Sequence, residues 1–125
     1  MPLVVVPAYS TFIGAAFYPI NPSGPHVFPR AYRGSLFASV HGSWHTSGGS
    51  YAAVPQVLAV PMQDDRPKIP VDWQDPNRQW QTFVGGFQTG GRARVGRPTG
   101  VCVGPEGSLF FADDMRGFVY RVRPR

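Results

Sequence analysis

The sequence predicts an all-β fold of short antiparallel strands separated by tight turns. Three observations carry this. Gly 15 and Pro 14 in 125 residues are spread along the whole chain, as many short elements joined by turns require. No window repeats apolar residues at i, i+3, i+4 and i+7 over three turns, so no amphipathic helix is expected. Hydrophobic residues are 42% of the chain, which excludes disorder by composition, and they arrive in short runs bounded by turn formers.

The elements follow in order. Leu3 to Val6 is β-branched and flanked by Pro2 and Pro7, so an edge strand is expected there. Phe12 to Tyr18 is an apolar strand closed by Pro19, followed by a turn-rich loop, NPSGPHVFPRAYRG. Ser35 to Val40 is a clear strand, and HGSWHTSGGS after it is a Gly/Ser-rich loop. Residues 54–61 (VPQVLAVP) form the next strand despite Pro55. Asp64 to Asn77 is dense in prolines and turn-favouring acids, so an irregular loop is expected. Gln79 to Phe87 alternates and is aromatic, which favours a strand, and GRARVGRP is a loop. Thr99 to Val103, Ser108 to Ala112 and Phe118 to Val122 are three further strands, joined by the Pro105-Glu106-Gly107 turn and the Asp113–Gly117 turn.

This gives about eight strands. Residues 12–87 hold four (12–18, 35–40, 54–61, 79–87) and 99–122 hold three, with 3–6 spare. A blade of a β-propeller has four strands, so 1–125 is expected to be one unit of two antiparallel blades, the second incomplete. The segments beginning Gly34-Ser-Leu-Phe and Gly107-Ser-Leu-Phe echo each other at a spacing longer than the ~40–50 residue blade period. The 64–77 insertion accounts for the excess.

Formal charge is +5, from 12 basic and 7 acidic residues, and Lys68 is the single lysine. An arginine-rich balance favours planar pairing and stacking. Charge is the only support for nucleic acid as a partner, and none is expected, because the arginines are scattered. Cys102 is the one cysteine. It forms no intrachain disulfide and fits no metal pattern, and is expected as a buried small hydrophobe. MPLVVVPAY has neither a basic n-region nor a long apolar stretch, so a soluble cytoplasmic chain is expected. Met1 and the spare strand favour a complete one. No nucleotide, zinc or nucleophile motif is present.

AYRGSLFASVHGSW (31–44) and VGRPTGVCVGPEGSLFFADDMRGFVYRV (95–122) resemble the C-terminal segment of the glucose/sorbosone dehydrogenase family, and PAYSTFIGAAFY (7–18) matches it more loosely. The resemblance implies a six-bladed propeller that oxidises sugars with pyrroloquinoline quinone (PQQ). This chain holds only part of that fold, and the family's general-base histidine has no counterpart in it. By the resemblance, His41 falls where relatives carry a cofactor-contacting residue. Arg97 falls near an arginine that pairs with the cofactor's carboxylates, with Arg94 the second candidate.

Loop placement argues independently. In an up-and-down blade, HGSWHTS, GRARVGRP and DDMRG lie at one end, which brings His41, Trp44, His45, Arg94, Arg97, Asp113, Asp114 and Arg116 to a single mouth, the usual setting of a ligand site. Each has a plainer role open to it. His41 can bond loop backbone, Trp44 can pack at a blade edge and His45 can face solvent. Asp113 and Asp114 can cap the turn, and Arg97 can brace the blades. No metal site is expected.

Two blades alone leave two apolar faces bare, which monomers seldom tolerate. Head-to-tail association into a homotrimeric six-bladed ring is expected, since heterologous contacts close into rings when the rotation permits. The primary functional expectation is a binding module taking a sugar or an anionic small molecule at the ring's mouth. The alternatives are a PQQ-dependent sugar dehydrogenase and a non-catalytic relic or interaction scaffold.

Overall fold

A computed structural model describes all residues 1–125. The strands are β1 (Phe12–Phe17), β2 (Leu36–Val40), β3 (Thr46–Ser47), β4 (Ser50–Tyr51), β5 (Gln56–Val60), β6 (Met62–Gln63), β7 (Arg66–Pro67), β8 (Gln81–Val84), β9 (Gln88–Gly90), β10 (Ala93–Arg94), β11 (Pro98–Val103), β12 (Leu109–Asp113) and β13 (Phe118–Val122). The chain is all-β, with two short 3-10 turns at Arg30–Tyr32 and Pro76–Gln79. No helix is long and apolar enough to cross a membrane.

Two antiparallel sheets dominate. The first has the order β1-β2-β5-β8 and the second β11-β12-β13, and neither is closed. The hairpins β3–β4, β6–β7 and β9–β10 stand apart from them. Strand alternation explains how the sheets pack. Phe37, Val57 and Ala59 leave one face of the first sheet and meet Leu109 and Phe111 of the second in an aromatic-rich core with Tyr18, Phe28 and Phe87. Ala38, Val40, Leu58 and Val60 leave the other face, with Met62 beside them, and are covered by Val4 and Val6 of the N-terminal segment.

β1 and β11 approach closely at the inner edges of the two sheets. A Cβ at Gly14 would stand 2.6 Å from the Thr99 carbonyl oxygen. The Ser39 hydroxyl donates to that same carbonyl and accepts from Gly14 N–H at 2.9 Å. At the far end, the buried Tyr18 hydroxyl donates to Gly107 C=O at 2.7 Å and accepts from Phe28 N–H at 2.8 Å. This ties the long loop after β1 to the β11–β12 turn.

Several expectations are corrected. Residues 3–6 join no sheet. Their backbone is held instead by the buried side chain of Gln79, whose Oε1 accepts from Val5 N–H at 3.0 Å and whose Nε2 donates to Leu3 C=O at 3.1 Å. The strand expected over 79–87 is only Gln81–Val84, because Gln79 sits in a 3-10 turn and Gly86 has φ +85°, outside the strand region. The loops are more ordered than expected. HGSWHTSGGS contains most of the β3–β4 hairpin, Arg66–Pro67 pairs with Met62–Gln63, and Ala93–Arg94 pairs with Gln88–Gly90. Cys102 is exposed, not buried. It pairs with Phe110, on the face of the second sheet turned away from the core between Val101 and Val103, which pack into it.

Candidate functional site

β2 ends, β11 begins and β12 ends at the same end of the molecule, so the loops carrying His41, Arg97 and Asp114 meet there. Hairpins β3–β4 and β9–β10 join them, linked by a bond from Tyr51 N–H to Gly91 C=O at 2.9 Å.

Arg97 is the centre of this mouth. It is 8% exposed. Its Nε donates to His41 C=O at 3.0 Å and its Nη2 to Gly42 C=O at 2.8 Å, so its fork clamps the loop after β2. Its own N–H donates to Asp113 Oδ1 at 2.9 Å. Arg94 lies alongside, donating to Ala53 C=O at 3.0 Å and Gln88 Oε1 at 3.1 Å, while its buried Nη1 has no hydrogen-bond partner within the chain.

The two guanidiniums share an aromatic setting. Arg97 lies 4.6 Å from the Trp44 ring centroid and Arg94 5.4 Å. Arg94 also sits 4.0 Å over Tyr51, and Arg92 is 5.7 Å from the same ring. Trp44 stands edge-on to Tyr51 and is itself 65% exposed. No carboxylate forms an ion pair with Arg94 or Arg97. Burial draws the Arg94 guanidinium below the ordinary arginine range, and the positive charge of Arg97 lowers it further. Burial lowers Arg97 too, against the opposing pull of Asp114 and Tyr51. Arginine starts high enough that both stay cationic.

His41 Nε2 lies 2.9 Å from Asp114 Oδ1. Facing a carboxylate, that nitrogen carries the proton and donates. The bond holds the Asp114 carboxyl below its ordinary 3.8, and the charges of His41 and Arg97 add to the effect. The pair links the loop after β2 to the β12–β13 turn and so bridges the two sheets.

Asp113 takes a different place from Asp114. It is 1% exposed, and its Oδ1 accepts from the N–H groups of Arg97, Met115 and Arg116. It caps the turn and fixes the start of β11. A Cβ at Gly96 would collide with its carboxylate, so glycine is required there. The Arg116 side chain turns to Val95 C=O at 2.7 Å. His45 is exposed and stacks on Tyr9 at 4.3 Å between centroids.

The mouth therefore gathers His41, Trp44, Arg94, Arg97 and Asp114 into one cluster. Asp113 supports it from beneath, and His45 and Arg116 lie at its rim. Tyr51 and Arg92 complete the stack and were missed from the sequence. Their one signal was an aromatic and a basic residue each following a Gly-rich turn. No group of three or more His, Cys, Asp or Glu side chains is placed to hold a metal ion.

Comparison with known proteins adds little to this geometry. No family model and no solved structure matches the chain. An uncharacterized protein from Borreliella burgdorferi (strain ATCC 35210 / DSM 4680 / CIP 102532 / B31) is 30% identical over 117 residues, which are 94% of this chain and 27% of that protein. The chain thus spans about a quarter of the length of this relative.

Proposed function

We propose that this chain is a ligand-binding module of the β-propeller type, related to the glucose/sorbosone dehydrogenases, and that its mouth takes a sugar or an anionic small molecule. The observation that carries this reading is the pair Arg94 and Arg97, two cations side by side under an exposed indole with no ion-pairing carboxylate. Planar guanidiniums recognise carboxylate and phosphate oxygens in bidentate fashion, and the unpartnered Nη1 of Arg94 is a donor waiting for an acceptor. Trp44 offers the apolar face on which a ring can lie. The four-stranded and three-stranded meanders, packed face to face, fit consecutive blades, and three head-to-tail copies are the arrangement that would give six. The ring would bring three such mouths together.

The test is a thermal-shift and calorimetric screen of carboxylates, phosphates and sugars, since a ligand that binds only the folded state raises its stability. The expected result is an anionic ligand whose binding quenches or shifts Trp44 fluorescence and is lost in Arg94→Gln. Binding that survives Arg94→Gln, or none across the screen, overturns the reading.

A second reading, a PQQ-dependent dehydrogenase, is favoured by the His41–Asp114 pair. PQQ fits the donor set, because its carboxylates match two guanidiniums of which one keeps a buried unpaired N–H. When bound, PQQ would supply the two-electron acceptor for sugar oxidation. Arg94 and Arg97 would hold its carboxylates, and Asp114 would orient His41 as a proton acceptor. The family's own base has no counterpart here, so binding without turnover is the preferred reading. Dye reduction that requires both sugar and PQQ and disappears in His41→Ala would reverse that preference.

A further inference from the structure

The mouth offers three kinds of contact to a single ligand. The first is cationic. Arg94 and Arg97 are held in the same manner, each spending Nε and Nη2 on acceptors of the chain. For Arg94 these are Gln88 Oε1 and Ala53 C=O, and for Arg97 they are His41 C=O and Gly42 C=O. Neither donates through Nη1 to any group of the chain. The bonds fix both guanidinium planes before a ligand arrives, which lowers the ordering cost of binding. Arg92 is exposed and stands on the Tyr51 ring that Arg94 also covers, 5.7 Å from its centroid.

The second contact is an acceptor. Asp114 turns Oδ1 to His41 at 2.9 Å, while its Oδ2 takes no hydrogen bond from another residue and its side chain is 57% exposed. It is close enough to Arg97 for the two charges to act on each other. The third contact is a flat apolar surface. Arg97 at 4.6 Å and Tyr51 edge-on hold the Trp44 indole in place, and 65% of the residue stays open to solvent.

Together these restrict the ligand. An inorganic anion pairs the guanidiniums and leaves the indole bare. A neutral sugar covers the indole and leaves the guanidiniums unpaired. A flat polycarboxylate engages both but brings no hydroxyl to Asp114. One anionic group, a pair of neighbouring hydroxyls and a flat ring satisfy all three. Phosphate oxygens match guanidinium N–H groups, an ionised carboxylate accepts from hydroxyls, and every nucleobase has a face that stacks on an aromatic side chain.

We propose that the mouth binds a nucleotide, with its phosphate on Arg94 and Arg97, its ribose hydroxyls donating to Asp114 Oδ2 and its base on the open face of Trp44. This names the ligand of the anion-binding reading above and rests on it. The nucleotide is either free or one unit of a single strand, and in the second case Arg92 takes a neighbouring phosphate.

Calorimetry on the full chain tests this with AMP, ribose 5-phosphate, adenosine and inorganic phosphate as probes. AMP is expected to bind more tightly than ribose 5-phosphate by roughly five- to a hundredfold, the range of base–aromatic stacking, and more tightly than adenosine. Trp44→Ala is expected to bring AMP down to the level of ribose 5-phosphate. Because Trp44 also touches Arg97, Asp114→Ala gives an independent readout. The parent chain is expected to prefer AMP to its 2′,3′-dideoxy analogue by about tenfold, as a hydrogen bond to a charged group implies, and the variant to bind both alike. AMP no tighter than ribose 5-phosphate and inorganic phosphate overturns the nucleotide and leaves the anion site standing. Binding of none of these three phosphates removes the anion site as well. AMP binding that both variants leave intact also overturns the proposal. Hexa-adenylate identifies the source. A salt dependence steeper than that of AMP and reduced by Arg92→Gln means a single strand, since each added phosphate contact adds about 0.7 to the slope. A slope equal to that of AMP means a free nucleotide.

Discussion

Arg97→Ala is the substitution whose consequence follows most directly from the structure. The guanidinium is 8% exposed and makes two charge-assisted bonds, at 3.0 Å to His41 C=O and 2.8 Å to Gly42 C=O. Gly42 is buried, so water does not readily replace the lost donor at its carbonyl. Hydrogen bonds to charged groups contribute roughly 1.5–3 kcal/mol each, and stacking on the exposed Trp44 adds about 0.5–1 kcal/mol. Allowing for relaxation, Arg97→Ala should cost roughly 3–5 kcal/mol, a large part of the stability of a small domain. Arg97→Lys keeps the charge but loses the fork, so one carbonyl stays unpaired and about half of the cost remains. The bond from the residue-97 N–H to Asp113 survives in both. Urea denaturation followed by far-UV circular dichroism gives the two differences. If Arg97→Ala lies within about 0.5 kcal/mol of the parent, as an ordinary surface change does, the clamp between the two sheets is not a structural element.

Other consequences can be checked in the same way. Gly14→Ala places a methyl against the Thr99 carbonyl and should destabilise by about 1–3 kcal/mol through overpacking, read as a lower urea midpoint. Gln79→Ala removes the only side chain that holds the backbone of residues 3–6 and should raise amide exchange at Val5 without unfolding the two main sheets. Asp114 has a carboxyl held below its ordinary value of 3.8 by His41, so the stability it adds is present above that value and is lost as pH falls through its lower folded value. Asp114→Asn should therefore be less stable than the parent near neutral pH, with the gap closing in strong acid. A gap that widens in acid would mean the sign is wrong. Trp44→Phe should abolish any ligand-induced fluorescence change while leaving Arg94 and Arg97 able to bind.

The seven strands of the two main sheets were legible in the sequence because alternation and turn residues are local properties. LFASV and QVLAV, each closed by turn formers, have one conformation that buries their side chains on two faces. Gly34 and Gly107 marked strand starts because both adopt positive φ, at +73° and +89°, where other residues are strained. The convergence of three loops on one mouth followed from counting strands. Three things did not follow. The face that Cys102 presents depends on which side of the second sheet finds a partner, and that is settled by packing between sheets. The Arg92–Tyr51–Arg94–Trp44–Arg97 stack needs two hairpins, more than thirty residues apart, to lie side by side. Residues 3–6 had the composition of a strand, but composition supplies no neighbour. The sequence by itself determined which segments extend and where they turn. Only the tertiary structure decided which side chains meet, because those contacts join residues far apart in the chain and no local preference encodes them.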